Sequence, residues 1–271
     1  MCGYKSEAVG HKKLSFFSLT GASGFDLFSF DGSEKYVSTF VPPFDMVDGY
    51  ESSYFYPTSE MREFTINFPL YTEVTELYVG VYDDAEILPP RQYKIEKPVV
   101  FYGSSITQGG FASRPGNAYE SILSRRFDFD FINLGFAGRC KGEPEMAEYI
   151  SKLDMSVFVC DYDYNAPTPE HLEETHANLY KTVRATHPEL PVVFMTRPKI
   201  NLSEKERERL EIIKATYEKA KANGDKNVYF IDGKKLMALA GTDGTVDNVH
   251  PNDLGFASMA RAVGDILETI L

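Results

Sequence analysis

No tryptophan occurs among the 271 residues, and cysteine (three) and histidine (five) are scarce. Cys2, Cys140 and Cys160 are an odd number without metal-ligand spacing, so they argue against a disulfide framework or a cysteine-held metal. They read as free thiols in a reducing compartment, and a cytoplasmic location is the expectation. No stretch approaches the roughly 20 apolar residues of a membrane span. The start, Met-Cys-Gly-Tyr-Lys-Ser-Glu, lacks the apolar centre of a signal peptide. Basic residues are in deficit: 28 Lys and Arg against 40 Asp and Glu leave a net charge of −12. Such a chain repels nucleic-acid phosphate and anionic lipid, so neither nucleic acid nor membrane is expected as its main partner. Internal repeats and low-complexity tracts are also absent.

What is present is an ordinary globular composition, 43% apolar and 25% charged, in a chain long enough for one large domain or two modest ones. The aromatic rings divide it. Residues 1–97 hold 19 of the 37 Phe and Tyr side chains. Phe64, Ile66 and Phe68 alternate with polar neighbours, Leu77, Val79 and Val81 alternate likewise, and Asp31-Gly32, Pro42-Pro43, Asp48-Gly49 and Pro89-Pro90 punctuate such runs. Alternation of this kind between turn signals is the mark of half-buried strands. No long amphipathic helix is evident, so residues 1–97 read as a small antiparallel β-sandwich, jelly-roll-like, with 88–98 as its exit linker.

Residues 98–271 read differently. Short apolar runs at 98–103, 129–134, 156–160, 191–195 and 228–231 alternate with helical stretches at about 117–127, 143–152, 168–186, 203–223 and 252–271. Pro169 suits a first helical turn, where its missing N–H costs little, and Ser203 with Glu206 makes a capping-box pattern. Apolar strands alternating with helices predict an α/β fold: a five-stranded parallel sheet covered on both faces.

In such a sheet, sites gather at the carboxyl ends of strands. After the first run comes Gly103-Ser-Ser-Ile-Thr-Gln-Gly-Gly110, where Ser105 is placed as a nucleophile entering a helix. The second is followed by Asn133-Leu-Gly-Phe-Ala-Gly138, whose glycines let backbone N–H groups approach a ligand. The third leads into Asp161-Tyr-Asp-Tyr-Asn165, and Asn165 offers a neutral amide donor. Taken singly, each segment also reads as an ordinary capped βα turn. Asp161 and Asp163 lack a histidine at ligand spacing, which favours a structural role over a metal. Before the last helix, Asp247 and His250 lie three apart, a spacing that lets the carboxylate hold Nδ1–H and leaves Nε2 as a base. His11 and His187 read as exposed loop residues; His171 and His176, five apart on a helix, share no face.

Serine, glycine, asparagine and Asp-x-x-His in this order, each at a strand end, resemble the SGNH (GDSL-type) hydrolases. The resemblance covers nearly all of 98–271. It implies a flavodoxin-like fold with Ser105 as nucleophile, His250 as base, Asp247 as its orienter, and an oxyanion hole of the Ser105 and Gly138 N–H groups with the Asn165 amide. Two departures stand out: Ser104 replaces the acidic residue of Gly-Asp-Ser-Leu, and Asp-Tyr-Asp-Tyr-Asn replaces Gly-x-Asn-Asp. The wording of the blocks is closer to a branch whose β-rich amino-terminal domain carries Gly-x-Asp-Leu-Tyr. Here Gly24-Phe25-Asp26-Leu27-Phe28 matches with Phe28 for Tyr. That branch's amino-terminal domain is longer than this one, which implies missing strands or a late start.

The expected activity is hydrolysis of O-acyl esters, short acyl groups preferred and acylated carbohydrate included, through an acyl-enzyme, with no metal or organic cofactor. A lipase or thioesterase for longer chains is the alternative within enzymes. A carbohydrate-binding protein with an inactive hydrolase domain is the alternative outside them. Too many rings in 1–97 for a unit of that size lead to the further expectation of a homo-oligomer.

Overall fold

The computed structural model describes the backbone of residues 2–5 and residues 17–271 in full. His11 and the Cys2 side chain lie outside the described residues.

The amino-terminal part builds β1 (Cys2–Lys5), a single helical turn α1 (Leu19–Ala22), β2 (Phe25–Phe30), β3 (Glu34–Phe40), β4 (Gly49–Ser52), β5 (Glu63–Asn67) and β6 (Glu76–Val79). They form two antiparallel three-stranded sheets, ordered β4-β1-β6 and β3-β2-β5. Alternation along β2 sends Phe25 and Leu27 inward, where they pack with Phe40, Ile66, Tyr50 of β4 and Leu77 of β6. The Tyr50 hydroxyl donates to the Phe40 carbonyl at 2.7 Å, tying one sheet to the other. This is the small sandwich the alternation predicts. At four residues, α1 is too short to leave a periodic signal; it is marked by Ser18, whose side chain accepts from the Gly21 N–H.

The opposite face of β2 is turned to the rest of the chain. Asp26 is fully buried there. Its Oδ2 accepts from the Arg114 guanidinium at 2.7 Å and the Gly116 N–H at 2.8 Å, and its Oδ1 accepts from Asn67 at 2.7 Å. Beside it, the Phe28 ring lies under the guanidinium groups of Arg114 and Arg125.

The remainder comprises β7 (Ile95–Gly103), α2 (Tyr119–Phe127), β8 (Phe129–Gly135), α3 (Pro144–Ile150), β9 (Val157–Asp161), α4 (Pro169–Thr186), β10 (Val192–Met195), α5 (Glu204–Ala222), β11 (Val228–Ile231), α6 (Gly233–Leu236) and α7 (Asp253–Leu267). All neighbouring strands are parallel, in the order β8-β7-β9-β10-β11. Counted from β7, this is the 2-1-3-4-5 order of flavodoxin-like sheets, with the switch point between β7 and β9. Alternation along the strands supplies two cores. Val100, Tyr102, Phe158 and Phe194 meet α3, α4 and α5 on one face. Val99, Phe101, Val159 and Val193 meet α2 and α7 on the other. The capping box at Ser203 and Glu206 forms as its spacing predicts.

Three local expectations change. β7 begins at Ile95, which pairs with Phe129, so the strand takes in the end of the expected 88–98 linker. The residues before it are pinned as well, since Arg91 pairs with Asp128 at 2.7 Å and lies over the Phe30 ring. The last helix ends at Leu267 rather than at the terminus.

Candidate active site

Ser105 stands just past β7, at the switch point. The strand can end there only in glycine: a Cβ on Gly103 would lie 2.1 Å from Thr107 Oγ1 and 2.3 Å from the Asp161 carbonyl. Ser104, fully buried, donates its N–H to that carbonyl at 3.0 Å, and its Oγ accepts from the Ile106 N–H at 3.2 Å. Its side chain therefore caps the turn and points away from solvent. Beyond Ser105 the backbone winds through single turns, Gln108 N–H to Ser104 O at 3.0 Å and Gly110 N–H to Ser105 O at 2.8 Å. A regular helix does not follow directly, contrary to expectation. Gly109 (φ +92°) and Phe111 (φ +76°) reverse the winding, and α2 begins only at Tyr119.

The Asp247–His250 loop approaches from the other side. It is closed by Val246 N–H to His250 O at 2.9 Å and by a left-handed Asn248 (φ +65°). Asp247 Oδ1 accepts from the His250 N–H at 2.7 Å and the Val249 N–H at 3.0 Å, and its Oδ2 lies 2.8 Å from His250 Nδ1. Burial raises the affinity of this carboxyl for a proton, but the hydrogen bonds from His250 and Val249 outweigh it and hold the group below the usual carboxylate range. A carboxylate only accepts, so Nδ1 carries the proton and Nε2 presents its lone pair. Nε2 is 2.9 Å from Ser105 Oγ. The imidazole is backed by Phe111, ring centroids 4.4 Å apart.

The oxyanion candidates fall on two neighbouring loops. In the loop after β8, Phe136 N–H donates to Gly103 O at 2.9 Å and Ala137 N–H to Gln108 Oε1 at 3.0 Å. The Arg139 and Cys140 N–H groups turn back to Phe136 O. The Gly138 N–H has no acceptor among the described residues, and neither has that of Ser105. Gly138 is left-handed at φ +70°, with open space where a Cβ would stand, so backbone conformation and not crowding demands glycine. On the loop after β9, Asn165 Oδ1 accepts from Cys140 N–H at 3.4 Å, which leaves the Nδ2 donors free. Two unpaired N–H groups and one amide thus belong to segments tied to the Ser105 turn.

The other polar candidates sort into support. Asp163 is buried against Arg197, at 3.2 Å, and Arg197 also reaches Glu206 at 3.0 Å. Burial pushes the Asp163 carboxyl up while Arg197 opposes it. The Asp161 carboxyl is buried with no hydrogen-bond partner among the described residues, and burial, followed by repulsion from Asp163, pushes its pKa well up while Arg197 opposes the shift. Among the described residues no three His, Cys, Asp or Glu side chains are grouped as metal ligands would be. His187 is half-buried rather than exposed: it closes α4 and its Nε2 lies 3.0 Å from Ser151 O. His176 is buried among Tyr162 and Phe194, and burial lowers its pKa to about 3.

Sequence reasoning expected a few amino-terminal rings near the mouth of the Ser105 site but named none of the residues. The Tyr71 hydroxyl lies 3.4 Å from Ser105 O, Leu70 O accepts from Gln108 Nε2 at 3.1 Å, and the Phe17 ring packs between Tyr71 and Phe111. Gln108 lay within a segment already singled out. Leu70 and Tyr71 are more than thirty residues away and carry no local signature.

Comparison with known proteins bears on the whole chain. The family model of GDSL-like lipases and acylhydrolases matches residues 96–268, and that of the N-terminus of SGNH-hydro-type esterases matches residues 4–87. A Bacteroides ovatus protein described as a GDSL-like lipase is 30% identical; the match covers 99% of this chain and 80% of that one, with a TM-score of 0.86. A salicylyl-acyltransferase of a tetracycline biosynthetic pathway is 17% identical over 100% of this chain and 80% of its own, TM-score 0.69. A family two carbohydrate esterase from Clostridium thermocellum, in complex with cellohexaose, is 13% identical over 99% of this chain and 90% of its own, TM-score 0.60. The last two likenesses are of fold alone. No curated protein matches the sequence.

Proposed function

The chain belongs to the GDSL-like lipase/acylhydrolase family and is an ester hydrolase of SGNH type, and from that premise we propose that Ser105, His250 and Asp247 hydrolyse O-acyl esters with short acyl groups carried on carbohydrate. The observation that carries this reading is the continuous chain of contacts from Asp247 Oδ2 to His250 Nδ1 at 2.8 Å and from His250 Nε2 to Ser105 Oγ at 2.9 Å.

Ser105 Oγ attacks the ester carbonyl carbon as its proton passes to His250 Nε2. Asp247 holds the ring in place and balances the imidazolium that forms. The carbonyl oxygen, now an oxyanion, is met by the Ser105 and Gly138 N–H groups and Asn165 Nδ2, donors that are already unpaired and need no reorganisation. Collapse expels the alkoxide, which takes the proton from Nε2, and leaves Ser105 acylated. Water enters, gives a proton to Nε2 and attacks the acyl carbon. A second collapse releases the acid and restores the serine.

Carbohydrate as the alcohol portion of the ester is supported by the carbohydrate esterase that shares the fold. Residues 98–271 are assigned as the catalytic part and 1–97 as the part that braces it. Acetate release from a panel of acetylated sugars, together with kcat/KM for p-nitrophenyl esters from acetate to octanoate, tests the reading. Acetate release by the wild type and none by Ser105→Ala is expected. A rate that climbs with acyl length would favour a lipase or thioesterase. Sugar binding without turnover would leave a binding protein.

A further inference from the structure

We propose that Gln108 is the positioning residue of the oxyanion loop, and that through it the amino-terminal sheets set how Gly138 meets the substrate; this rests on the hydrolase reading of the Ser105 site. Something must aim the Gly138 N–H, because packing does not. Its α-carbon faces open space and its backbone is left-handed. The direction of that N–H is therefore set by the hydrogen bonds on either side of it.

On the far side, the Arg139 and Cys140 N–H groups close the loop onto its own Phe136 carbonyl, at 2.9 and 3.2 Å. The loop is thus a small turn, tied on this side to the loop after β9 by the Cys140 N–H on Asn165 Oδ1 at 3.4 Å. It hangs from the nucleophile segment at two points: Phe136 N–H on Gly103 O at 2.9 Å, and Ala137 N–H on Gln108 Oε1 at 3.0 Å. The second is one peptide from Gly138 and is made by a side chain. The Gln108 backbone is itself fixed close to the loop, since a Cβ on Gly135 would lie 2.1 Å from Gln108 N. Ser105 and Gly138 are therefore kept in register by the same short turn.

The other end of the amide is anchored as well. Gln108 Nε2 donates to Leu70 O at 3.1 Å. A carbonyl there accepts only the NH2 end, which leaves the oxygen for Ala137. The Ala137 N–H demands the oxygen for the same reason, so both ends fix one orientation, and without Leu70 O the amide keeps only one of its two anchors. Leu70 is held in turn by its N–H on Gly21 O at 3.2 Å, and its side chain lies beside Gly109. A two-ended amide thus connects the amino-terminal part to the oxyanion donor.

The test uses the full chain with p-nitrophenyl acetate, a fluorophosphonate label for Ser105, and an alkyl boronic acid whose tetrahedral adduct places an oxygen in the oxyanion hole. Gln108→Met keeps length and removes both bonds. A kcat lower by about 10- to 100-fold is expected, less than the full loss of one oxyanion donor, with KM within about twofold and boronate Ki rising in step with the fall in kcat/KM. Gln108→Glu serves should the Met variant fail to fold. It keeps an acceptor for Ala137 but faces Leu70 O with a carboxylate and adds negative charge near the oxyanion, so kcat falls at least 10-fold. Wild type that labels at Ser105 and turns over, beside a folded variant of unchanged kcat, overturns the proposal alone. Loss of kcat with boronate Ki unmoved also overturns it. A wild type that neither labels nor hydrolyses any ester overturns the hydrolase reading and this proposal with it.

Discussion

Replacing Asp26 tests whether the amino-terminal sheets are part of the catalytic unit or only joined to it. In Asp26→Ala the β2 side chain loses a carboxylate whose two oxygens serve three donors, Asn67, Arg114 and the Gly116 N–H, all within 2.8 Å. Ala leaves a guanidinium that is only 21% exposed without its counter-ion. Breaking one side of a buried ion pair costs about 3–5 kcal/mol, because the remaining charge and donors stay desolvated. The Arg114 stack on Tyr36, 4.1 Å from the ring centroid, retains part of the interaction, so the lower end of that range is expected. Against a total of about 5–15 kcal/mol that loss is large. At about 2–4 °C per kcal/mol for a chain of this size it lowers Tm by roughly 10 °C. The chain has no tryptophan, so urea unfolding is followed by circular dichroism, with calorimetry for Tm. A double-mutant cycle with Arg114→Met separates the pair from the rest of the site. The Leu70 and Tyr71 contacts to the Ser105 turn come from the same unit, so kcat for acetate esters should fall as the unit loosens. An Asp26→Ala protein within 0.5 kcal/mol of wild type, or one with additive effects in the cycle, would refute the reasoning.

Four further outcomes follow from single contacts. Ser105→Ala should fold normally and lose several orders of magnitude in kcat, and near-normal turnover would remove it as nucleophile. Asp247→Asn should lower kcat by about 10²- to 10⁴-fold with KM little changed, by favouring the wrong imidazole tautomer; wild-type kinetics would mean that His250 is oriented otherwise. Ser104→Ala removes one hydrogen bond to Ile106, worth about 1 kcal/mol, and should keep at least about a tenth of the activity in steady-state assays; a larger loss in a folded variant would place Ser104 in the chemistry. His176, with a folded pKa of about 3 below the unfolded imidazole value, contributes stability that is complete above about pH 6.5 and drains as pH falls toward 3. Between pH 7 and 4.5 that amounts to about 2–3 kcal/mol, which His176→Phe should abolish; equal acid losses in wild type and variant, read from urea midpoints, would contradict it.

The neutral Ser104 in place of an acid fits its surroundings. The position is buried, and the Asp161 carboxyl at the adjoining strand end is already buried and unpartnered. A carboxylate at this buried position would face desolvation of its own. The hydroxyl performs the turn-capping role without that cost.

Period, punctuation and strand-end chemistry are local, and they were legible in the residues alone. Apolar runs bounded by Gly and Pro placed five strands of a parallel sheet within a few residues, and Ser203 with Glu206 marked a helix start. The order of Ser105, Gly138, Asn165 and Asp247-x-x-His250 pointed to the site because parallel sheets collect functional loops at one edge. What no local pattern carries is contact between segments distant in sequence. That Asp26 is a buried counter-ion for Arg114, that Leu70 and Tyr71 reach the Ser105 turn, and that Gln108 spans from Leu70 to the Gly138 loop depend on how the sandwich is docked. The helix expected at about 117–127 forms as α2, but the backbone between it and Ser105 passes through left-handed Gly109 and Phe111, beside Leu70 and His250, which no local pattern announced. Secondary structure follows from the chain's own periodicity, whereas the aim of each polar group at the site is decided by neighbours that only the folded chain brings together.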